Sequence, residues 1–177
     1  MKCPSCRTAD LSPQRLESGL SGYSCPGCSG VLLSVGPYVD WVAAQPSNTH
    51  AFETFAAAAR DSKRALLCPK CSRIMVKFRV SSDSGHGLDF CFGCEEVWLD
   101  GGEWTWLKAK GLHTKITTIS TGVWQRRLRE EWTSAARLER FKQTIGMAAF
   151  PEVERFKVWL ESQPERSEIL RYLTQSV

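Results

Sequence analysis

The chain has 177 residues, with 23 Lys and Arg against 19 Asp and Glu, so its formal net charge is +4. An apolar share of 42% beside 24% charged residues excludes wholesale disorder, and so small a positive balance does not by itself argue for nucleic acid as a partner. No run approaches the ~18 consecutive apolar residues of a membrane span, and Met1 to Cys6 lacks the apolar centre of a secretory signal. The expected setting is therefore cytoplasmic, where thiols stay reduced and cysteines serve metals more often than disulfides.

All eight cysteines fall into C-x-x-C doublets. The first two, Cys3/Cys6 and Cys25/Cys28, are 18 residues apart, and this spacing is that of a zinc ribbon over residues 1–44. Two residues between cysteines let a tight turn aim both thiolates at one ion, and a hairpin-length excursion supplies the second pair. Ser34 then stands where a helix cap belongs, Pro37 falls in the first turn, and Tyr38 and Trp41 are the residues to be packed.

Gln45 to Thr49 reads as a short linker, and an alanine-rich stretch from about His50 to Leu67 is expected to be a helix within a joining region, 45–65. His50 is read as a cap or solvated residue, because four cysteines already fill each site. A second ribbon is expected over 66–112, from Cys68/Cys71 and Cys91/Cys94, doublets 19 residues apart. Ile74 to Val80 reads as a strand, Ser81 to Gly87 as a loop with His86 as a solvated turn residue, and Leu88 to Phe90 as the start of the returning strand. Asp100 and Glu103 have capping-box spacing and are read as a helix start rather than as an acid–base pair. That helix should bury Trp104 and Leu107 and stop at Gly111.

The halves are copies offset by 65 to 66 positions: Cys25-Pro26-Gly27-Cys28 through Gly36 lies over Cys91-Phe92-Gly93-Cys94 through Gly102. The repeat favours one ion per half, with Cys3, Cys6, Cys25 and Cys28 in one four-thiolate site and Cys68, Cys71, Cys91 and Cys94 in the other. Interleaving the doublets fits the same count and stays open. At these positions the chain resembles the transcription factor IIB-type zinc-finger family, whose pattern runs C-P-x-C, a hairpin, then C-x-x-C and x-x-V-W-L-D-x-G-E. Repeat two matches through Cys68 to Cys71 and Cys91 to Glu103, whereas repeat one has Leu32 for Trp, Ser34 for Asp and Pro37 for Glu. The resemblance covers residues 1–44 and 66–111 and implies zinc and a ribbon fold; a shared fold does not establish a transcriptional role.

Residues 113–177 contain no cysteine and read as helical. Trp124, Leu128, Trp132, Ala135, Leu138, Phe141 and Ile145 recur at steps of three and four, giving an amphipathic helix that Gly146 should stop. A second helix follows Pro151 and ends before Pro164, and a third runs from Glu165 to Thr174. Arg126, Arg127, Arg129, Arg137, Arg140 and Lys142 gather on the first of these helices among Glu130, Glu131 and Glu139, which fits a solvated face better than a phosphate-binding one.

The fold expected is thus a small zinc-stabilised α+β protein, two tandem ribbons with a helical C-terminal region. Its expected function is a non-enzymatic protein-interaction or regulatory adaptor with two structural zinc ions. The expected partner is another protein, and no small-molecule substrate is identified. The alternative is a nucleic-acid-binding, transcription-associated factor, and labile-thiol zinc or redox handling is a third reading. Candidate partner-contacting residues are Trp104, Trp106, Trp124, Arg126, Arg127 and Trp132, since aromatic anchors serve interfaces as readily as cores. The opening charge changes once the metals are counted. Eight thiolates and two Zn²⁺ add −4, which cancels the +4 and leaves about −3 on residues 1–112 and +3 on residues 113–177.

Overall fold

A computed structural model describes residues 1–45, 62–82 and 85–175. The chain divides into two compact units, Met1–Glu130 and Glu131–Val177. The first takes in both expected ribbons. Most of the helix expected over 50–67, with His50, lies outside the described residues, but its described end is not helical: Leu67 forms an antiparallel bridge with Ile74, and the Met75 N–H donates to the Leu66 carbonyl at 2.8 Å. Leu66 is buried in this extended stretch, and that burial overrides the helical reading carried over from the alanines before it.

Each half of the first unit is a three-stranded antiparallel meander followed by a helix. The first half holds β1 (Ser12–Glu17), β2 (Leu20–Ser24), β3 (Val31–Ser34) and α1 (Val35–Ala43). The second holds β4 (Val76–Arg79), β5 (Gly87–Cys91), β6 (Glu96–Leu99) and α2 (Glu103–Ala109). The two meanders are one sheet, in the order β1-β2-β3-β6-β5-β4, because β3 and β6 pair antiparallel. The register sets Val31 opposite Leu99, Leu32 opposite Trp98 and Leu33 opposite Val97. Leu32 and Trp98 are equivalent positions of the repeat, so the pseudo-twofold axis relating the halves passes between them.

Strand alternation sends side chains to two separate cores. Val31, Leu33, Leu88, Phe90, Val97 and Leu99 pack with Tyr38, Trp41, Trp104 and Leu107 of the two helices. Leu32 and Trp98 point the other way, into a cluster with Cys3, Cys25, Cys68, Cys91, Leu66 and Met75. Helices therefore cover one face of the sheet and the cysteines gather on the opposite one. Trp98 is fully buried there, and a Cβ on Gly30 would lie 2.2 Å from its Cζ2 atom, so only glycine lets the ring close over the strand start.

The helix face is tied together by side-chain bonds within and across the repeats. Trp41 donates from Nε1 to the Ser18 carbonyl, and Trp104 donates from Nε1 to Glu17. Lys108 reaches the same Glu17 carboxylate at 2.6 Å. Burial works against that carboxylate, yet the hydrogen bonds from Lys108 and Trp104 hold it below its usual range. Tyr38 is buried with its hydroxyl donating to the His113 carbonyl and accepting from the Ile116 N–H, and burial pushes it up to about 12. It anchors a short helix, α3 (Ile116–Ile119), whose two isoleucines are fully buried. This helix has too few residues to leave a period in the sequence.

The α2 helix ends as its glycine foretells. Gly111 has φ +65°, the Gly111 N–H donates to Lys108 and the Leu112 N–H to Leu107, completing a Schellman motif. Its start is only half as expected. Glu103 does accept the Asp100 N–H at 2.8 Å, but the Asp100 carboxylate caps nothing: it accepts from Trp98 Nε1 and from the Ser62 N–H. Ser34 occupies the N-cap position of α1 with no cap bond, because its hydroxyl donates to Glu96 across the β3–β6 pairing.

Both outer strands are guarded. β1 carries Pro13, which has no N–H to offer, and a register break between Arg15 and Glu17. Along β4, the Gln125 side-chain amide accepts from the Arg79 N–H and donates to the Arg79 carbonyl, as the next strand would, while Trp124 donates to the Val80 carbonyl. Gln125 and Trp124 belong to α4 (Gly122–Ile145), which ends at Gly146 with φ +84°.

In the second unit, α5 (Phe150–Glu161) carries Pro151 in its first turn and α6 (Arg166–Thr174) completes the chain's helices as expected. Intrahelical ion pairs join Glu139 with Lys142, Glu152 with Arg155 and Glu168 with Arg171.

Two glycines in the first unit should respond oppositely to a methyl group. Gly30→Ala should lower stability by about 1–3 kcal/mol through overpacking against Trp98. Gly36→Ala, on α1 with open space around it, should raise stability by up to about 1 kcal/mol. Denaturant unfolding of the zinc-loaded protein measures both.

Candidate metal centres

The structure places the eight cysteines in two groups, Cys3/Cys6/Cys25/Cys28 and Cys68/Cys71/Cys91/Cys94, with all four sulfurs of each group within 4.8 Å of one another. The simple pairing holds and the interleaved one does not. Three contacts define the spacing: Cys3 to Cys28, Cys6 to Cys25 and Cys71 to Cys91 are each 3.5 Å between sulfurs. A disulfide requires about 2.05 Å. A tetrahedron of thiolates about 2.3 Å from an ion sets its sulfurs about 3.8 Å apart. The geometry and the all-sulfur donor set therefore fit two structural zinc ions, one per four-cysteine group. The ion would supply charge neutralisation and a cross-link between two turns.

Four backbone turns present the sulfurs, and they share one conformation. The residue after the second cysteine of every doublet has positive φ: Arg7 at 60°, Ser29 at 59°, Ser72 at 59° and Glu95 at 54°. These are the only non-glycine residues with positive φ among those described. In three turns that residue's N–H donates back to the carbonyl of the first cysteine, Arg7 to Cys3, Ser29 to Cys25 and Ser72 to Cys68. The left-handed residue folds the chain back on itself and turns the local N–H groups toward sulfur. Cys6 N–H, for example, lies 3.4 Å from Cys3 Sγ. The spacing announced the ligands, but nothing in Arg, Ser or Glu announced the left-handed positions, since glycine is the usual signal.

Each group holds two buried sulfurs from the first cysteines of the doublets, and two half-exposed ones from the second. Burial pushes the Cys3, Cys28 and Cys68 thiols up. The hydrogen bond from the Thr8 hydroxyl, with N–H groups of Ala9 and Thr8, pulls Cys6 down to about 5, and the Arg73 N–H pulls Cys71 down to about 7. Cys94, hydrogen-bonded to Cys71, is driven up to about 12. Four adjacent thiolates cannot all ionise unaided; a divalent cation removes that conflict, so metal binding here expels protons.

Polar side chains surround the sheet's cysteine face. Lys70, inside the third turn, reaches Glu96 at 2.5 Å, which raises the lysine's pKa and leaves Glu96 joined to Ser34 as well. Lys77 pairs with buried Asp89 at 2.8 Å. Arg64 donates to the Ser5 carbonyl in the first turn.

The candidate partner residues fare unequally. Trp104 is buried between the helices and bonded to Glu17, so it belongs to the core, where α2 folds back over the β1–β2 hairpin. Trp106 is half-buried against His86, with ring centroids 4.7 Å apart, and Trp124 is spent on the β4 edge. His86 is accordingly no solvated turn residue: its ring packs at a tilt against Trp106 and its Nδ1 lies 3.6 Å from the buried Glu103 carboxylate. Arg126, Arg127 and Trp132 are exposed on α4, and Trp132 keeps 64% of its surface. Sequence reading missed His113, buried between Trp41 and Trp104, whose burial depresses its pKa. No described helix is long and apolar enough to cross a membrane. Compared with known families, characterised proteins and solved structures, the chain matches none.

Metal analysis should return two zinc per chain, and chelation should abolish the sheet signal in circular dichroism, because site formation and folding share one free energy. The turn conformation has its own test. Ser72→Gly relieves a left-handed strain of about 1–2 kcal/mol against a glycine entropy cost of about 0.5–1 kcal/mol, so stability should stay level or rise slightly. Ser72→Val, β-branched at φ 59°, should lower it by more than about 1 kcal/mol in thermal unfolding.

Proposed function

We propose that this chain is a non-enzymatic zinc-ribbon protein, similar to the transcription factor IIB-type zinc fingers, that works as a protein-interaction adaptor through its C-terminal helices. The observation that carries this reading is the surface of the second unit. Leu160 is its only buried large hydrophobic among the described residues, whereas Trp132, Met147, Val158 and Tyr172 are each more than 60% exposed and Leu138, Phe141, Phe156 and Trp159 are also exposed. Ordered helices of a soluble chain seldom leave so many large apolar side chains in water unless another protein covers them. The zinc chemistry supports a structural role for the ribbons, since four thiolates complete a tetrahedral site and leave no position for an exchangeable water.

Nucleic acid is the second reading, favoured by exposed Arg126, Arg127, Arg137 and Arg140 along α4. Glu130, Glu131 and Glu139 interrupt that row, and Lys142 is already paired with Glu139, which supports the protein partner over the phosphate backbone.

Trp132→Ala should retain two zinc and the wild-type unfolding midpoint while lowering recovery of the bound partner by about tenfold or more, measured by affinity capture and quantitative mass spectrometry. Wild-type recovery would remove Trp132 from the interface. Duplex or single-stranded nucleic acid bound at ~50 mM salt and released steeply as salt rises would replace the adaptor reading with the nucleic-acid one.

A further inference from the structure

The two four-cysteine groups stand on one apolar cluster. Cys3 and Cys25 of the first group and Cys68 and Cys91 of the second are buried in it together with Leu32, Met75, Leu66 and Trp98. Trp98 is the largest member and is fully buried. It extends from β6, just beyond Cys94, and its ring lies over Gly30, whose carbonyl accepts the Cys25 N–H and so closes a turn of the other group. A neighbouring contact joins the second half to the same turn: a Cβ on Gly101 would lie 2.2 Å from the Cys28 carbonyl oxygen. The Trp98 indole N–H is held by Asp100, which also accepts the Ser62 N–H, and Arg64 two residues on reaches Ser5 between Cys3 and Cys6.

Emptying the first group would free the turn that Trp98 covers, and emptying the second the turn that leads into its strand. Either way the freed surface belongs to the cluster that buries the other group's cysteines. We propose that the two zinc ions are gained and lost as one cooperative unit, with Trp98 as the side chain that couples the sites. Coupling of this kind is reciprocal, so whichever ion binds first prepares the site of the other. This inference stands on the shared cluster and not on the adaptor reading.

The test uses the full-length zinc-loaded chain, stripped at equilibrium with graded chelator and counted by native mass spectrometry. Independent equal sites would leave about half of the molecules with one ion at half-saturation; a coupling of about a hundredfold leaves about a tenth. One-zinc chains at about half or above overturn the proposal. In Trp98→Leu the one-zinc share should rise severalfold, and an unchanged all-or-none pattern there would remove Trp98 as the coupler. Should that variant not fold, Cys3→Ser/Cys6→Ser tests the coupling from the other side. Zinc or Co²⁺ affinity at Cys68/Cys71/Cys91/Cys94 should fall at least about tenfold, and undiminished affinity overturns the proposal.

Discussion

The antiparallel pairing of β3 with β6 is the contact on which the rest of the first unit depends. Either half alone would be three short strands, one helix and a metal, with one edge of its innermost strand unpaired. Joined along that strand, the halves form a six-stranded sheet whose centre is its driest part: Leu32, Leu33, Val97, Trp98 and Leu99 are essentially fully buried. The arrangement has the logic of an isologous dimer, with equivalent surfaces meeting across a twofold axis, but within a single chain.

That axis also explains why the repeats are unequal. Positions on a symmetry axis meet their own equivalents, so a residue chosen there is met by its copy. Trp98 fills the space on the cysteine face, and its equivalent opposite is Leu32, not a second tryptophan. Gly30, equivalent to Glu96, has no side chain because the indole covers it. Ser34, equivalent to Asp100, donates to Glu96, whereas Asp100 holds the indole N–H. Where repeat one differs from repeat two at Leu32 and Ser34, it differs at positions in the seam. The differences are complementary across it: the indole fills the space that Leu32 and Gly30 leave.

The metal ligands were legible because their chemistry imposes spacing on the chain, and helices α4 to α6 because long amphipathic periods and flanking glycine and proline survive as pattern. The join between the ribbons left no such trace. Val31 to Leu33 and Val97 to Leu99 are short apolar runs behind their cysteines, and nothing local marks them as strands or tells a run buried by its own helix from one buried by another strand. Caps were half legible: Asp100 and Ser34 carry the right groups, but the indole of Trp98 two residues away and the distant Ser62 and Glu96 claim them first. His86 and His113 were misjudged or missed because their partners, Trp106, Glu103, Trp41 and Trp104, come from elsewhere in the chain.

The Gln125 amide that completes β4 has a consequence in time as well as in space. Residues 76–79 leave the ribosome well before residue 125, so the strand is made before its cover. During synthesis the edge lies open, with Ile74 and Val76 beside it, and any extended segment nearby can pair with it. Only when the start of α4 arrives does a single side chain take up both backbone groups of Arg79 and withdraw them from competition. A chain cut short between α3 and α4 would keep all eight cysteines and all six strands, yet would carry a permanently unsealed edge.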